Sequence, residues 1–307
     1  MPPVRGRVLS AAVVTSLASG ALLGGTLAGG ASGAPVPDLP WSDLLPPQTT
    51  PSQGERIKVK HCRKARLKCV RVQIKRMKRQ RGKLGCDHRA VFATTYLKLT
   101  KQLKKTLKHN RRFFDQPKFF YREDALFANF YFDAFRAYNR GRPTPDAWRI
   151  AFEEAASGNA NGAQDMLLGI NAHVQNDLPF VIAALGTRNR AGESRKPDHD
   201  KVNRVLTQAY ESVVRAIEAR YDPTISKTNA DWHPIDDVAG LQVVRSWREE
   251  AWRNAERLVN ADSDAERKQI AEQIEANAAL QAEQIAAPEQ PGHRDVRDAY
   301  CQQQLSG

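Results

Sequence analysis

The 307-residue sequence lacks the short motifs that mark the commonest enzyme classes. It has no glycine-rich phosphate-binding loop, no G-x-S-x-G elbow, no H-E-x-x-H and no paired C-x-x-C. These absences argue against a phosphate-loop enzyme, an α/β-hydrolase, an H-E-x-x-H metalloprotease and a dithiol oxidoreductase. Any chemistry must therefore come from residues that the fold brings together.

The sequence also lacks the alternating apolar and polar pattern of β-strands, whereas apolar residues recur at helical spacing. Hydrophobic residues make up 41% of the chain, enough for a substantial core. We therefore predict an all-α fold, a single helical-bundle domain of about eight helices. The helices are expected near residues 67–84, 87–107, 117–139, 145–157, 167–186, 198–217, 236–258 and 263–286.

Long apolar runs are missing beyond the N-terminus, so no later segment is expected to span a membrane. Residues 1–33 combine the basic Arg5 and Arg7, an apolar run and small residues at their end, which is typical of a cleaved signal peptide. A retained membrane anchor is the alternative reading. We expect export and a secreted protein, with residues 34–54 as a linker rich in proline and serine.

Acidic residues are scarce in one segment. From Glu55 to Arg112 there are 22 lysines and arginines against two acids, a local charge of +20 in a chain of net +13, so the remainder carries −7. We expect the domain to span residues 55–287, with residues 55–112 as a strongly basic helical pair and residues 288–307 as a C-terminal tail.

Cysteine is rare, with four residues that allow three disulfide pairings. Export favours disulfides over metal binding. Cys69 and Cys86 flank a predicted helix whose ends lie about 20 Å apart at ~1.5 Å per residue, too far for a disulfide. We therefore favour Cys62 with Cys69, which leaves Cys86 to tether the tail through Cys301.

The stretch from Leu167 to Gly186 carries one formal charge, Asp177, and reads as a buried helix. His173 and Asp177 are four residues apart and leave the same helix face. Pro179 is expected to kink or break the helix nearby. Such a pair suits a divalent metal such as zinc, although it also suits a histidine and a carboxylate that simply satisfy each other.

Further residues could complete a metal site if the bundle brings them together. The predicted ligands are His173, Asp177, His88, Asp133 and Asp200, with Asn171, Asn203 and His199 as supporting polar groups. Several acids also have structural explanations: Asp198 is expected to cap the helix that it begins, Asp200 complements a helix dipole, and Asp133 can pair with Arg136.

Six stretches together resemble an uncharacterised family of exported bacterial proteins, a domain of unknown function. They are CDHRAVFATTYLKLT from Cys86, FANFYFDAF from Phe127, PDAWRIAFEEA from Pro145, LLGINAHVQNDLP from Leu167, DHDKVNRVL from Asp198 and WREEAWRNAERL from Trp247. This resemblance implies a family and no activity.

His173, Asp177 and Pro179 also match an H-x-x-x-D helix followed by proline, which resembles a zinc-ligand helix of the phospholipase C and P1-nuclease type of helical hydrolase. That resemblance implies metal-dependent hydrolysis of a phosphoester or an acyl group. Those enzymes hold three zinc ions with more histidines and an N-terminal tryptophan ligand, and these elements cannot be placed in this sequence, which leaves a site with one or two metal ions as the expectation.

Two functional hypotheses follow from the sequence. The first is a secreted metal-dependent hydrolase built on the histidine and carboxylate cluster. The second is a non-enzymatic protein that attaches through residues 55–112 to anionic cell-envelope polymers or anionic lipid. We expect no sequence-specific recognition of nucleic acid.

Overall fold

Helices joined by turns and loops account for 77% of the described residues in the computed structural model. The structure describes residues 58–225, 237–287 and 292–306; the predicted signal peptide and linker lie outside these ranges. Within them there is no β-strand, which confirms the all-α prediction. The helices are α1 Leu67–Leu84, α2 Ala90–His109, α3 Pro117–Tyr138, α4 Asp146–Ser157, α5 Gly162–Asn171, a π-helix Ala172–Asp177, α6 Leu178–Leu185, α7 Lys196–Glu218, α8 Asp237–Asn260, α9 Asp264–Ala286 and α10 His293–Ser306.

The helix at the centre runs without a break from α5 through the π-helix into α6. Asn161 begins it with a capping box, in which its side chain accepts from the backbone N–H of Gln164 and the Gln164 side chain accepts in return. Pro179 lies in the first turn of α6 and has no N–H to donate. The wider π turn precedes it, and the N–H of Leu178 donates to the carbonyl of His173. The proline is thus accommodated by a π-helix rather than by a break.

The other helices pack around this central one. It contacts α2, α3, α4, α8 and α9, and nearly all of its side chains are buried. The largest apolar side chains buried nearby are Trp148 on α4 and Trp252 on α8. Apolar burial of this extent is the main favourable term in folding.

The two disulfides are those favoured from the sequence. Cys62 pairs with Cys69 just before and within α1, and Cys86 pairs with Cys301 on α10. The structure adds that the tethered tail is helical from His293 to Ser306, which the sequence pattern had not indicated.

One predicted cap has a different role. Asp198 was expected to cap its own helix, but α7 already begins at Lys196, with Pro197 in its first turn. The Asp198 carboxylate instead accepts hydrogen bonds from the backbone N–H groups of Asp115 and Gln116, at 2.9 and 2.7 Å. It therefore caps the start of α3 from another helix.

Among the described residues, no helix combines the length and the apolar character that crossing a bilayer requires.

Candidate active site

A cavity of about 160 Å³ lies between the central helix, α2, α3, α7 and α8. Most of its wall is apolar. The polar groups of the wall come from α2, α3, α7 and α8 and from the π-helix: Tyr96, Glu123, Asp124, His173 and Arg248, with the hydroxyls of Thr95, Thr100 and Tyr210. An apolar pocket with a few converging polar groups is the usual form of a small-molecule site.

His173 and Asp177 form a buried dyad at this cavity. Nδ1 of His173 lies 2.9 Å from Oδ2 of Asp177, and both side chains are almost fully buried. A carboxylate only accepts hydrogen bonds, so the proton of a neutral imidazole lies on Nδ1 and leaves Nε2 as an acceptor. Nε2 is buried, and none of the described residues provides a hydrogen-bond partner for it.

Two further donors fix the carboxylate of the dyad. Trp148 donates its indole N–H to Oδ2 of Asp177 at 3.0 Å, and the Asn176 amide donates to Oδ1 at 2.9 Å. Burial lowers the pKa of His173, while the hydrogen bond and the charge of Asp177 act in the opposite direction. The imidazole is therefore neutral at neutral pH.

Aromatic rings hold the imidazole plane. The ring of Phe127 stacks on His173 with 3.4 Å between centroids and an interplanar angle of 2°. Tyr96 and Phe92 approach edge-on, at 4.6 and 5.7 Å between centroids. These contacts restrict rotation of the histidine and fix the direction of Nε2.

Two adjacent acids of α3 face the same cavity. Glu123 and Asp124 are both buried, and Oε2 of Glu123 and Oδ2 of Asp124 have no hydrogen-bond partner among the described residues. Burial raises the pKa of Glu123 to about 7. Burial, with a contribution from the charge of Glu123, raises the pKa of Asp124 to about 8. At neutral pH Asp124 is therefore mainly a protonated carboxylic acid that can donate a hydrogen bond.

Tyr96 and Arg248 complete the polar part of the wall. Burial, with the charge of Asp124 next, raises the pKa of Tyr96 well above its usual value, and its hydroxyl has no partner among the described residues. Arg248 is held by the side chain of Asn203 at 3.0 Å and the carbonyl of His199 at 2.7 Å. Two of the three predicted supporting groups thus position a residue of the cavity wall.

The third predicted supporting group, Asn171, is directed elsewhere. Its side-chain amide donates to the carbonyl of Ala278 on α9 at 2.8 Å. It joins the central helix to α9 instead of contacting the dyad.

The other predicted ligands bind separate partners. Asp133 is exposed and forms an ion pair with Arg136, and Asp200 accepts from Lys196 at 2.6 Å. Nε2 of His88 lies 2.9 Å from Asp298 on α10. His173 and Asp177 are therefore the two members of the predicted ligand set that the structure pairs with each other.

Metal binding needs three or more suitable side chains at one point. Across residues 58–225, 237–287 and 292–306, no group of three or more histidine, cysteine, aspartate or glutamate side chains is arranged to hold a metal ion. The dyad supplies two donors, fewer than the three protein ligands of a catalytic zinc site, so the divalent metal stays a prediction and we derive no reaction step through it.

The sequence prediction missed Tyr96, Glu123, Asp124 and Arg248 as cavity residues. A signal for Asp124 was present, because Phe120, Asp124 and Phe127 follow one another at i, i+4 and i+7 on one helix face. An acid inside an aromatic stripe must be buried, and a buried acid without a cationic partner is a candidate for chemistry.

Comparison with known proteins gives one match. Residues 70–288 match the sequence model of a family described as a family of unknown function, DUF5995. No curated protein and no solved structure matches the chain. The similarity to phospholipase C and P1-nuclease suggested by the H-x-x-x-D helix thus receives no support.

Proposed function

The chain belongs to the DUF5995 family of unknown function, and we propose that its central cavity is the active site of a hydrolase acting on small, mainly apolar esters. One observation carries the proposal. A neutral histidine with a free, buried Nε2 and a carboxylic acid with a raised pKa face one apolar cavity. Titratable groups whose pKa values are pushed in opposite directions mark an acid and a base.

His173 is the proposed general base. Asp177 keeps the proton on Nδ1, so Nε2 can accept a proton from water. The stacked ring of Phe127 keeps this nitrogen directed at one place. A base that is oriented by a carboxylate in this way is a recurrent arrangement in acyl transfer.

Asp124 is the proposed general acid. Its protonated carboxyl group can donate to an oxygen that gains negative charge during the reaction. Glu123, with a pKa of about 7, lies beside it and keeps the Asp124 proton in place by charge repulsion when Glu123 is ionised.

The wall of the cavity favours an uncharged substrate of limited size. A mainly apolar wall does not compensate the charge of an anionic phosphoester, whereas an ester carries no charge. A cavity near 150 Å³ accommodates a molecule about as large as benzene. The volume of about 160 Å³ therefore suits a short acyl or aryl group.

The proposed reaction needs only these cavity residues and water. A water molecule gives a proton to Nε2 of His173 as its oxygen bonds to the ester carbonyl carbon. The carbonyl oxygen of the resulting tetrahedral intermediate accepts a hydrogen bond, for which the hydroxyl of Tyr96, a cavity residue without a partner among the described residues, is a candidate donor. The carbon–oxygen bond to the alcohol then breaks, and Asp124 protonates the departing alkoxide. The proton on His173 returns to Asp124 through solvent.

The test is hydrolysis of p-nitrophenyl acetate, butyrate and octanoate by the purified full-length protein. The proposal predicts faster hydrolysis of the two short esters than of the octanoate. His173→Gln and Asp124→Asn should each lower kcat/KM by about 100-fold or more, as loss of a general acid or base does.

The matched control is His88→Gln, which alters another buried histidine that does not line the cavity. It should retain activity within about twofold. Equal loss in all three variants, or turnover that is unchanged in His173→Gln, would contradict the proposal. Elemental analysis of wild type and His173→Ala separates it from the metal-dependent version, which requires stoichiometric metal that the variant loses.

A further inference from the structure

The outward face of α1 carries cations along its whole length. The exposed cationic side chains are Lys68, Arg71, Lys75, Lys78, Arg79 and Lys83. At 100° per residue they fall within a sector of about 140° of the helix, while Cys69, Val70, Ile74 and Met77 occupy the buried side. We call these six cations the α1 face.

Within the described ranges, these cations lack acidic partners. None of the six makes an ion pair with a carboxylate in the described part of the chain. Asp87 is the only acid in residues 58–112, and it is bound by Arg89. Arg76, on the inner side of α1, shows the contrast: it donates to Asn129 at 2.7 Å and lies over the ring of Phe132. Arg76 thus holds α1 against α3, whereas the cations of the α1 face form no ion pair with a described residue.

Helix α2 places further lysines beside the cations of α1. Lys101 has a pKa lowered by burial and then by the charges of Lys78, Lys98, Arg81 and Lys104. These residues come from both α1 and α2, so the two helices form one continuous cationic surface. Holding like charges this close is unfavourable without a counter-charge.

The segment before α1 is rigid as well as basic. Exposed Arg63, Lys64 and Arg66 lie inside the loop closed by Cys62 and Cys69. The carbonyl of Lys60 accepts from the Asn129 side chain at 3.2 Å, which fixes the segment to α3. Charges held in place in this way lose little freedom on binding.

We propose that the α1 face, with the adjoining lysines of α2, binds a linear acidic polymer bearing phosphate or sulfate groups. This inference does not rest on the chemistry proposed for the cavity. An α-helix of 18 residues is about 27 Å long, so it can meet several charged units of one chain.

A membrane is the less favoured partner. Helices that bind membranes present large apolar side chains beside their cations. The exposed large apolar side chains of the described residues are Leu280, Val296 and Leu305, and none of them lies on α1 or α2. The surface is therefore suited to electrostatic contact without insertion.

The experiment measures binding of fluorescein-labelled heparin and of linear polyphosphate to the full-length protein at several salt concentrations. The affinity should fall steeply with salt, because binding releases counterions. The variant Arg71→Gln, Lys75→Gln, Lys78→Gln should bind at least about tenfold more weakly, with a salt slope smaller by about two units.

The matched control removes the same amount of charge elsewhere, through Arg215→Gln, Arg267→Gln and Lys268→Gln, which are exposed on α7 and α9. It should bind within about twofold of wild type. Equal weakening in both triple variants would show a non-specific charge effect and overturn the proposal. Absence of binding, or equal binding to vesicles containing anionic lipid, would overturn it too.

Discussion

At the scale of single residues, Gly169 shows how closely the residues around the cavity are packed. A Cβ atom at this position would lie 2.3 Å from Cδ2 of Phe92. The Phe92 ring in turn meets the ring of His173 edge-on. Glycine on the central helix is therefore needed for α2 to approach it and for the imidazole to be enclosed.

We predict that Gly169→Ala displaces the Phe92 ring and lowers the free energy of unfolding by about 1–3 kcal/mol, as overpacking does. Chemical denaturation of the purified variant measures this. Gly82→Ala is the control, because that glycine also lies in a helix but has open space around its Cβ position. The control should be neutral or stabilising by about 0.5–1 kcal/mol. Equal stability of the two variants would show that the close contact has no energetic role.

The sequence indicated part of this arrangement. His173 and Asp177 follow from their spacing, since residues four apart on a helix lie on one face. Trp148 and Asp124 do not, because each comes from a helix distant in sequence, and spacing along one helix says nothing about its neighbours. Whether these two residues lie near His173 and Asp177 depends on how α3 and α4 pack against the central helix.

At the scale of elements, most helices could be predicted because each carries one apolar stripe and begins or ends at a capping residue, a proline or a glycine. α3 begins at Pro117 and α9 ends at Ala286, where the sequence pattern placed these boundaries. The π-helix was not predicted, although Pro179 indicated a disturbance. The pattern of apolar residues cannot distinguish a kink from a wider turn, because both bury the same side chains.

The cap of α3 is a second example of a long-range effect. Its N-cap residue, Gln116, makes no side-chain capping hydrogen bond, and Asp198 from α7 supplies the carboxylate instead. The local sequence of α7 suggests an ordinary cap, since Asp198 is near its start. Only the packing of α7 against α3 shows which helix the carboxylate serves.

We predict that Asp198→Ala lowers the free energy of unfolding by about 1–3 kcal/mol, because the backbone N–H groups of Asp115 and Gln116 lose a charged acceptor. The control is Asp200→Ala on the same helix, which removes a partly exposed carboxylate paired with Lys196. Its loss should cost at most about 1 kcal/mol. Hydrogen exchange at Asp115 and Gln116 should accelerate in the first variant and not in the second. Unchanged exchange would contradict the capping role.

At the scale of the whole molecule, the cations and the cavity acids occupy different parts of the chain. The cations concentrate on α1 and α2, and the acids of the cavity are buried among apolar residues. The charge segregation was evident in the sequence, since composition along the chain is a local property. The cavity was not, because its wall draws on five separate helices.

The tail is fixed by more than its disulfide. Arg297 on α10 is buried and pairs with Asp165 at 2.8 Å, and it also donates to the carbonyl of Ala160 at 2.5 Å. His88 and Asp298 join the same cluster. The sequence prediction that Cys301 tethers the tail is confirmed, and the structure explains His88, one of the predicted metal ligands, as part of this attachment.

Protonation of the cavity acids makes the stability of the fold depend on pH. The pKa of Glu123 and that of Asp124 are raised in the folded state, so the folded chain binds more protons than the unfolded chain between about pH 4 and pH 8. The contribution of these two groups to stability is therefore present at low pH and is lost as the pH rises through that window. The general-acid role proposed for Asp124 requires that its carboxyl group stays protonated at neutral pH.

The most direct measurement of that claim is an NMR titration of protein carrying ¹³C-labelled aspartate carboxyl groups and ¹⁵N-labelled histidine. We expect one aspartate signal with a midpoint near pH 8 that is absent from Asp124→Asn, and His173 signals of a neutral ring protonated on Nδ1 down to below pH 6.5. An Asp124 midpoint below pH 5, or a His173 ring that becomes charged above pH 6.5, would contradict the acid and base roles assigned to the cavity.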